Sequence, residues 1–115
     1  MDREIAPAAL AIDKLCGDIG QERAVRVLEF ALPRIVGFER DIREFISAGN
    51  HAAAADCAHR AISSVRAYGT VRLEALLREA SAEDCDLKRL QPELSEEFAL
   101  VIDFVDSWLR TNSKL

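Results

Sequence analysis

The chain has few of the residues that mark several classes of protein. It contains three cysteines, an odd number that does not make a closed disulfide framework. Their scattered positions, 16, 57 and 85, give no paired zinc-ligand spacing, so we expect all three to be reduced. The longest run without Asp, Glu, Lys or Arg, Phe45 to Ala55, is too short to cross a bilayer. The start of the sequence has no apolar signal core, and we expect a cytoplasmic protein.

Positive charge is also in deficit. The 15 Lys and Arg residues face 20 Asp and Glu residues, which gives a net charge of −5. A protein that neutralises nucleic-acid phosphates over its whole surface needs the opposite balance, so we expect no nucleic-acid partner, while a local basic face stays open. With no segment that could cross a bilayer, we also expect no membrane partner. The 115 residues, 50% of them hydrophobic, suit one compact domain over residues 1–115.

Apolar residues recur at steps of three and four through most of the chain, and no segment alternates as a strand would. This pattern predicts an all-α fold, an up-and-down four-helix bundle with an additional short N-terminal helix. The helices are expected at about residues 6–16, 22–48, 51–68 and 71–80, and from Pro92 onward.

Glycine and proline positions predict where these helices end. Gly17 should interrupt the first helix, and Pro33 should bend or break the second. Gly49 fits a left-handed helix stop, with Asn50 as the next N-cap. Residues 81–91 are expected to form a loop that leads to Pro92 in the first turn of the last helix.

The helix at about 51–68 has a histidine on its outer side. At about 100° per residue, its small apolar residues form one stripe that faces the core, and His59 points roughly 130° away from that stripe. We therefore expect His59 to be exposed. The same flank carries Ala55, Asp56, Ile62 and Ser63, with Arg66 two turns further on at nearly the angle of His59.

The run DCAHRAISSVRAYG, residues 56–69, resembles the histidine-containing phosphotransfer (HPt) family, whose pattern is roughly A-H-x-L-K-G-S-A-x-x-x-G-x-x-x-L. The matching positions, without a gap, are Ala58, His59, Ser64, Gly69 and Leu73. Gly49 and Asn50 match the family's usual Gly-Asp turn. The register holds from about residue 30 to residue 77.

The resemblance implies an HPt-like bundle in which His59 accepts a phosphoryl group from a receiver-domain aspartyl phosphate and passes it to another receiver. The implied partners are response-regulator receiver domains and a hybrid sensor histidine kinase. The receiver would supply Mg²⁺, and we expect no cofactor bound by this chain. Without a glycine-rich phosphate loop the chain would be a phosphoryl carrier and not an autonomous kinase.

Two positions depart from the family pattern. The lysine three residues after the histidine is Ile62 here, and the glycine after it is Ser63. Arg66 stands where the family has a small residue, and we expect it to reach back toward a phosphate on His59. The expected receiver-docking face consists of Ala52, Ala55, Asp56, Ile62 and Ser63.

Other interpretations stay open. The missing lysine is compatible with a pseudo-HPt adaptor that docks a receiver without phosphotransfer, and a bundle that only dimerises or docks another helix is a third alternative. His59 could also be an ordinary solvated residue. A metal site from His51, Asp56, Cys57 and His59 is disfavoured because their directions diverge around the helix, so we predict no metal site.

Overall fold

A computed structural model of the protein describes residues 5–66 and 68–112. These residues form five α-helices and no strand, which confirms the all-α prediction. The helices are α1 (Ile5–Ile19), α2 (Gln21–Ser47), α3 (His51–Val65), α4 (Val71–Ala80) and α5 (Leu87–Asn112). No helix in this part of the chain is both long and apolar enough to cross a membrane.

The helices α2 to α5 form a closed bundle. Each packs against the next along the chain, α5 returns to α2, and α1 packs on α2 and α5. The start of α2 meets the end of α5, where the Gln21 amide donates to the Asn112 side-chain oxygen at 3.0 Å. The start of α3 similarly lies beside the segment that follows α4, since His51 and Ser81 line one hollow. Neighbouring helices therefore run antiparallel, as short connections require.

The core-facing stripe of α3 is made of small side chains, as the periodicity predicts. Ala54, Ala58 and Ala61 have no exposed surface, and Val65 has 1%. Short side chains let α2 and α4 approach α3 closely on both sides. The core they join includes large buried side chains such as Phe98, Ile12, Leu28, Ile35, Ile42, Leu73 and Leu77.

The turn between α2 and α3 is also as predicted. Gly49 has φ +76°, and its neighbour Asn50 accepts a hydrogen bond from the Ala53 backbone N–H at 3.2 Å. Glycine reaches this left-handed region without a steric cost, and the asparagine satisfies an N-terminal donor of α3. The predicted stop at Gly17, in contrast, is wrong, because α1 continues to Ile19 and the positive φ falls at Gly20.

Both interior prolines lie inside helices. Pro33 was predicted to bend or break the second helix, and the break does not occur, since α2 is one helix whose Leu28 and Ile35 are fully buried on either side of the proline. Pro92 was expected in the first turn of the last helix, but α5 begins earlier, at Leu87. There the Asp86 carboxylate accepts from the Arg89 backbone N–H at 3.3 Å, so the connection after α4 is shorter than predicted.

The helix α3 ends at Val65, and the expected extension to Tyr68 is wrong as far as the structure describes it; Ala67 lies outside the described residues. Gly69 closes the turn by donating its N–H to the Val65 carbonyl at 2.7 Å. A Cβ at position 69 would lie 2.8 Å from that same oxygen. The close backbone approach therefore requires glycine here.

Candidate functional site

His59 lies in the middle of α3 and is exposed, as predicted. The residues on either side of it differ sharply in their surroundings, since Ala58 is fully buried and Arg60 is exposed. Cys57 is buried as well, and this burial raises the pKa of its thiol. The accessible nucleophile on this part of α3 is therefore the imidazole and not the neighbouring sulfur.

The imidazole borders a hollow of about 520 Å³ formed by side chains of α2, α3 and α4. Four arginines line it: Arg34 from α2, Arg60 from α3, Arg66 at the end of α3, and Arg78 from α4. Phe38 and the small side chains of Ser63 and Ser64 complete much of the wall. The site is thus rich in cations, although the whole chain is acidic.

Three of the four arginines are held by carboxylates. Arg60 Nε lies 3.2 Å from Asp56 Oδ2, one turn earlier on α3. Glu74 on α4 accepts from Arg78 Nη2 at 2.6 Å and also lies 3.7 Å from Arg66 Nε. The Arg78 hydrogen bond, together with the charges of Arg78 and Arg66, holds the pKa of Glu74 below its usual range. Glu74 is therefore ionised and offsets part of the charge of two arginines.

Arg34 has a different environment. No carboxylate in residues 5–66 or 68–112 forms an ion pair with it, and its guanidinium carbon lies 5.6 Å from the centroid of the Phe30 ring. This distance fits a cation–π contact. Phe30 is 69% exposed, one turn before Arg34 on α2. The contact orients the guanidinium without neutralising it.

Sequence reasoning missed Arg34 and Arg78. Both come from helices other than that of His59, and neither lies in the run around it at residues 56–69. No local spacing signals their approach, because it depends on how α2 and α4 pack on α3. The packing of α2 and α4 against α3 is what brings them to the hollow that His59 borders.

Arg66 lies at the end of α3 and has a carboxylate partner. The side chain does line the His59 hollow, but Arg66 follows the last residue of α3 and its guanidinium is directed to Glu74. Arg66 is the C-cap of α3 and keeps helical angles (φ −58°, ψ −34°), and its N–H donates to the Ile62 carbonyl at 3.1 Å, so its backbone still follows the helix that carries His59. A role at the phosphate stays a prediction.

The residues of the predicted receiver-docking face differ in exposure and do not all line the same hollow. Ala52, Asp56 and Ser63 are exposed and Ala55 is half-buried, but Ile62 is only 6% exposed. The expectation that Ile62 lies on the exposed flank is wrong, because α3 packs against both α2 and α4 and its buried arc is wider than one stripe. Ala52 and Ala55 line a separate hollow beside the α4–α5 connection.

Among the described residues, no group of three or more His, Cys, Asp and Glu side chains could hold a metal ion. Comparison with models of known families, with curated proteins and with solved structures finds no match to this chain. We therefore infer the function from the chemistry of the hollow. An exposed imidazole among guanidinium groups suits a reaction that places negative charge on or beside the ring.

Proposed function

We propose that this protein is an HPt-type phosphoryl carrier of a multistep phosphorelay. His59 accepts a phosphoryl group from a receiver-domain aspartyl phosphate and passes it to another receiver. The observation that carries the proposal is an exposed histidine, midway along a bundle helix, within a hollow lined by four arginines. The sequence resemblance at residues 58–73 points to the same chemistry.

The transfer needs one bond to form and one to break. A ring nitrogen of the neutral His59 imidazole donates its lone pair to phosphorus, while the bond between phosphorus and the aspartyl oxygen breaks and returns its electron pair to the carboxylate. The product is a phosphoimidazolium, whose other ring nitrogen keeps its proton. The reverse step on a second receiver regenerates the neutral imidazole. No base on this chain is required.

This chain contributes the position of His59 and the positive charge in the hollow beside it. Phosphoryl transfer depends mainly on alignment and on neutralising the phosphoryl oxygens. Buried alanines fix α3 within the bundle, and the small Ser63 and Ser64 leave room around the imidazole. A receiver domain, delivered as part of a response regulator or a hybrid sensor histidine kinase, would bring its own acidic pocket and Mg²⁺.

The test uses a radiolabelled phosphoreceiver and two matched variants. His59→Gln should abolish acid-labile labelling, whereas His51→Gln should be labelled as the parent protein is. His51 is the other of the two histidines and is also exposed on α3. Because both side chains are exposed, both variants should melt within a few degrees of the parent.

Two results would contradict the proposal. Labelling that persists in His59→Gln would place the phosphoryl group elsewhere. Receiver binding without any labelling of the parent protein would favour the pseudo-HPt adaptor, an alternative supported by the apolar, buried Ile62 at the position of the family's lysine.

A further inference from the structure

The cations around His59 are unequal in the charge they can offer a phosphate. Arg60 is paired with Asp56, and Arg66 and Arg78 share Glu74. Arg34 lines the same hollow, and within the described ranges no carboxylate pairs with it. An incoming phosphoryl group would compete with a carboxylate for the other three guanidinium groups but not for Arg34.

The contact with Phe30 leaves the donors of Arg34 available. A cation–π contact uses the face of the guanidinium, whereas phosphate recognition uses its N–H edge. The planar fork of arginine can donate two parallel hydrogen bonds to two phosphoryl oxygens. The Phe30 ring at 5.6 Å also limits the conformations of the side chain, which lowers the entropy cost of ordering it on a ligand.

The lysine missing from α3 cannot be replaced at its own position without disturbing the core. Ile62 occupies that position and is 6% exposed, in contact with the apolar cluster of the bundle. A cation for the phosphoryl group must therefore come from another part of the hollow. The neighbouring helix α2 provides one in Arg34.

We propose that Arg34 binds the phosphoryl group carried by His59, and that a cation from α2 thus replaces the lysine that α3 lacks. This inference rests on the proposed function. Arg34 donates hydrogen bonds to the phosphoryl oxygens before, during and after transfer, and it forms or breaks no covalent bond. Its ligand is the phosphoryl group itself, so its effect should not depend on which molecule delivers that group.

The first experiment compares transfer from one phosphoreceiver to three variants at constant magnesium and salt. Arg34→Ala should slow transfer roughly ten- to hundredfold, as expected for losing a charge-assisted hydrogen bond. Arg66→Ala, which removes a paired cation from the same hollow, should slow transfer less. Arg26→Ala is the matched control, because Arg26 lies two turns earlier on α2 and borders a neighbouring apolar groove with Arg34. It should transfer at the parent rate.

The second experiment separates phosphate binding from receiver docking. Phosphoramidate, a small phosphoryl donor, should phosphorylate the imidazole without any receiver, and Arg34→Ala should slow this reaction as well. Arg34→Lys should give an intermediate rate with both donors, since it keeps the charge but not the fork. Circular dichroism and melting of the variants report on folding, and we expect no change at this exposed position.

The outcomes distinguish a failure of the proposed carrier function from a failure of the role of Arg34. If the parent protein acquires no label on His59, both the proposed function and the role of Arg34 are wrong. If the parent is labelled and Arg34→Ala reacts as fast as the parent with both donors, the role of Arg34 is wrong while the carrier function stands. Slowing with the receiver alone would assign Arg34 to docking and would also overturn the proposal.

Discussion

At the scale of single residues, Tyr68 shows how burial without a partner changes a side chain. The residue is 3% exposed, and its hydroxyl has no hydrogen-bond partner in the part of the chain that the structure describes. Burial raises the pKa of Tyr68 to about 12, against a smaller opposing effect of the nearby Arg34 charge. Both the neutral hydroxyl and the phenolate therefore lose favourable hydration on folding.

We expect Tyr68→Phe to stabilise the protein by about 1 kcal/mol at pH 7, because it removes a buried donor that gains nothing in the fold. Urea denaturation measures this as a higher midpoint at unchanged slope. A less stable variant would show that the hydroxyl does have a partner in solution.

The pH dependence of the free energy of unfolding, compared between the parent protein and Tyr68→Phe, gives a second readout. Tyr68 would ionise near pH 10 in the unfolded chain but only at about 12 in the folded protein. Between these values the unfolded state binds fewer protons, so the parent should lose up to about 1.4 kcal/mol of stability per pH unit from this group. Tyr68→Phe should lack this share of the loss, and Tyr68 is the single tyrosine of the chain.

The sequence predicted the burial and exposure of most α3 residues better than it predicted which side chains of other helices approach them. The exposure of His59 and the burial of Ala54, Ala58 and Ala61 follow from helical angles alone. The burial of Ile62 does not, because it depends on how closely α2 and α4 flank α3. Arg34 and Arg78 could not be assigned for the same reason, since their approach to His59 is a property of tertiary packing.

At the scale of elements, α4 is fixed at its start by one threonine. Thr70 accepts from the Leu73 backbone N–H at 2.9 Å and donates to the Glu97 carboxylate on α5 at 2.6 Å. Glu97 is 3% exposed, and its other oxygen lies 3.3 Å from Arg72 Nε. Because α4 also carries Glu74 and Arg78, this network helps to set their positions in the His59 hollow.

Thr70→Val should therefore destabilise the protein by about 2 to 4 kcal/mol, the combined cost of a lost helix cap and of a buried carboxylate with one partner fewer. Denaturant unfolding gives the value. Thr111→Val, at the only other threonine and exposed near the end of α5, should change stability by less than about 0.5 kcal/mol. A loss below about 1 kcal/mol in Thr70→Val would show that Arg72 alone satisfies Glu97.

Helix ends were predictable where a local capping motif sets them. Gly49 and Asn50 carry a left-handed stop and a cap, and both act as expected. The penalties expected at Gly17, Pro33 and Pro92 are each about 1 to 3 kcal/mol, and burial along a long amphipathic helix outweighs them. The amphipathic pattern is visible in the sequence, but whether the burial that it gives outweighs a local penalty depends on tertiary packing.

At the scale of the whole molecule, the distribution of charge matters more than its sum. The net charge of −5 excludes a uniformly basic surface, yet the bundle gathers four arginines in the hollow that His59 borders. They come from three helices that run antiparallel, so the cationic site exists only in the folded protein. The proposed carrier function thus depends on the bundle as a whole and not on the run around His59 alone.

The most direct test of the carrier function is to locate the phosphoryl group on the unaltered protein. After transfer from a phosphoreceiver, the protein is digested at neutral to mildly basic pH, which preserves phosphohistidine, and the modified residue is identified by fragment mass spectrometry. We expect one phosphoryl group, on His59. A phosphoryl group on His51 or on any other residue, or none when the receiver has been consumed in its presence, would contradict this expectation.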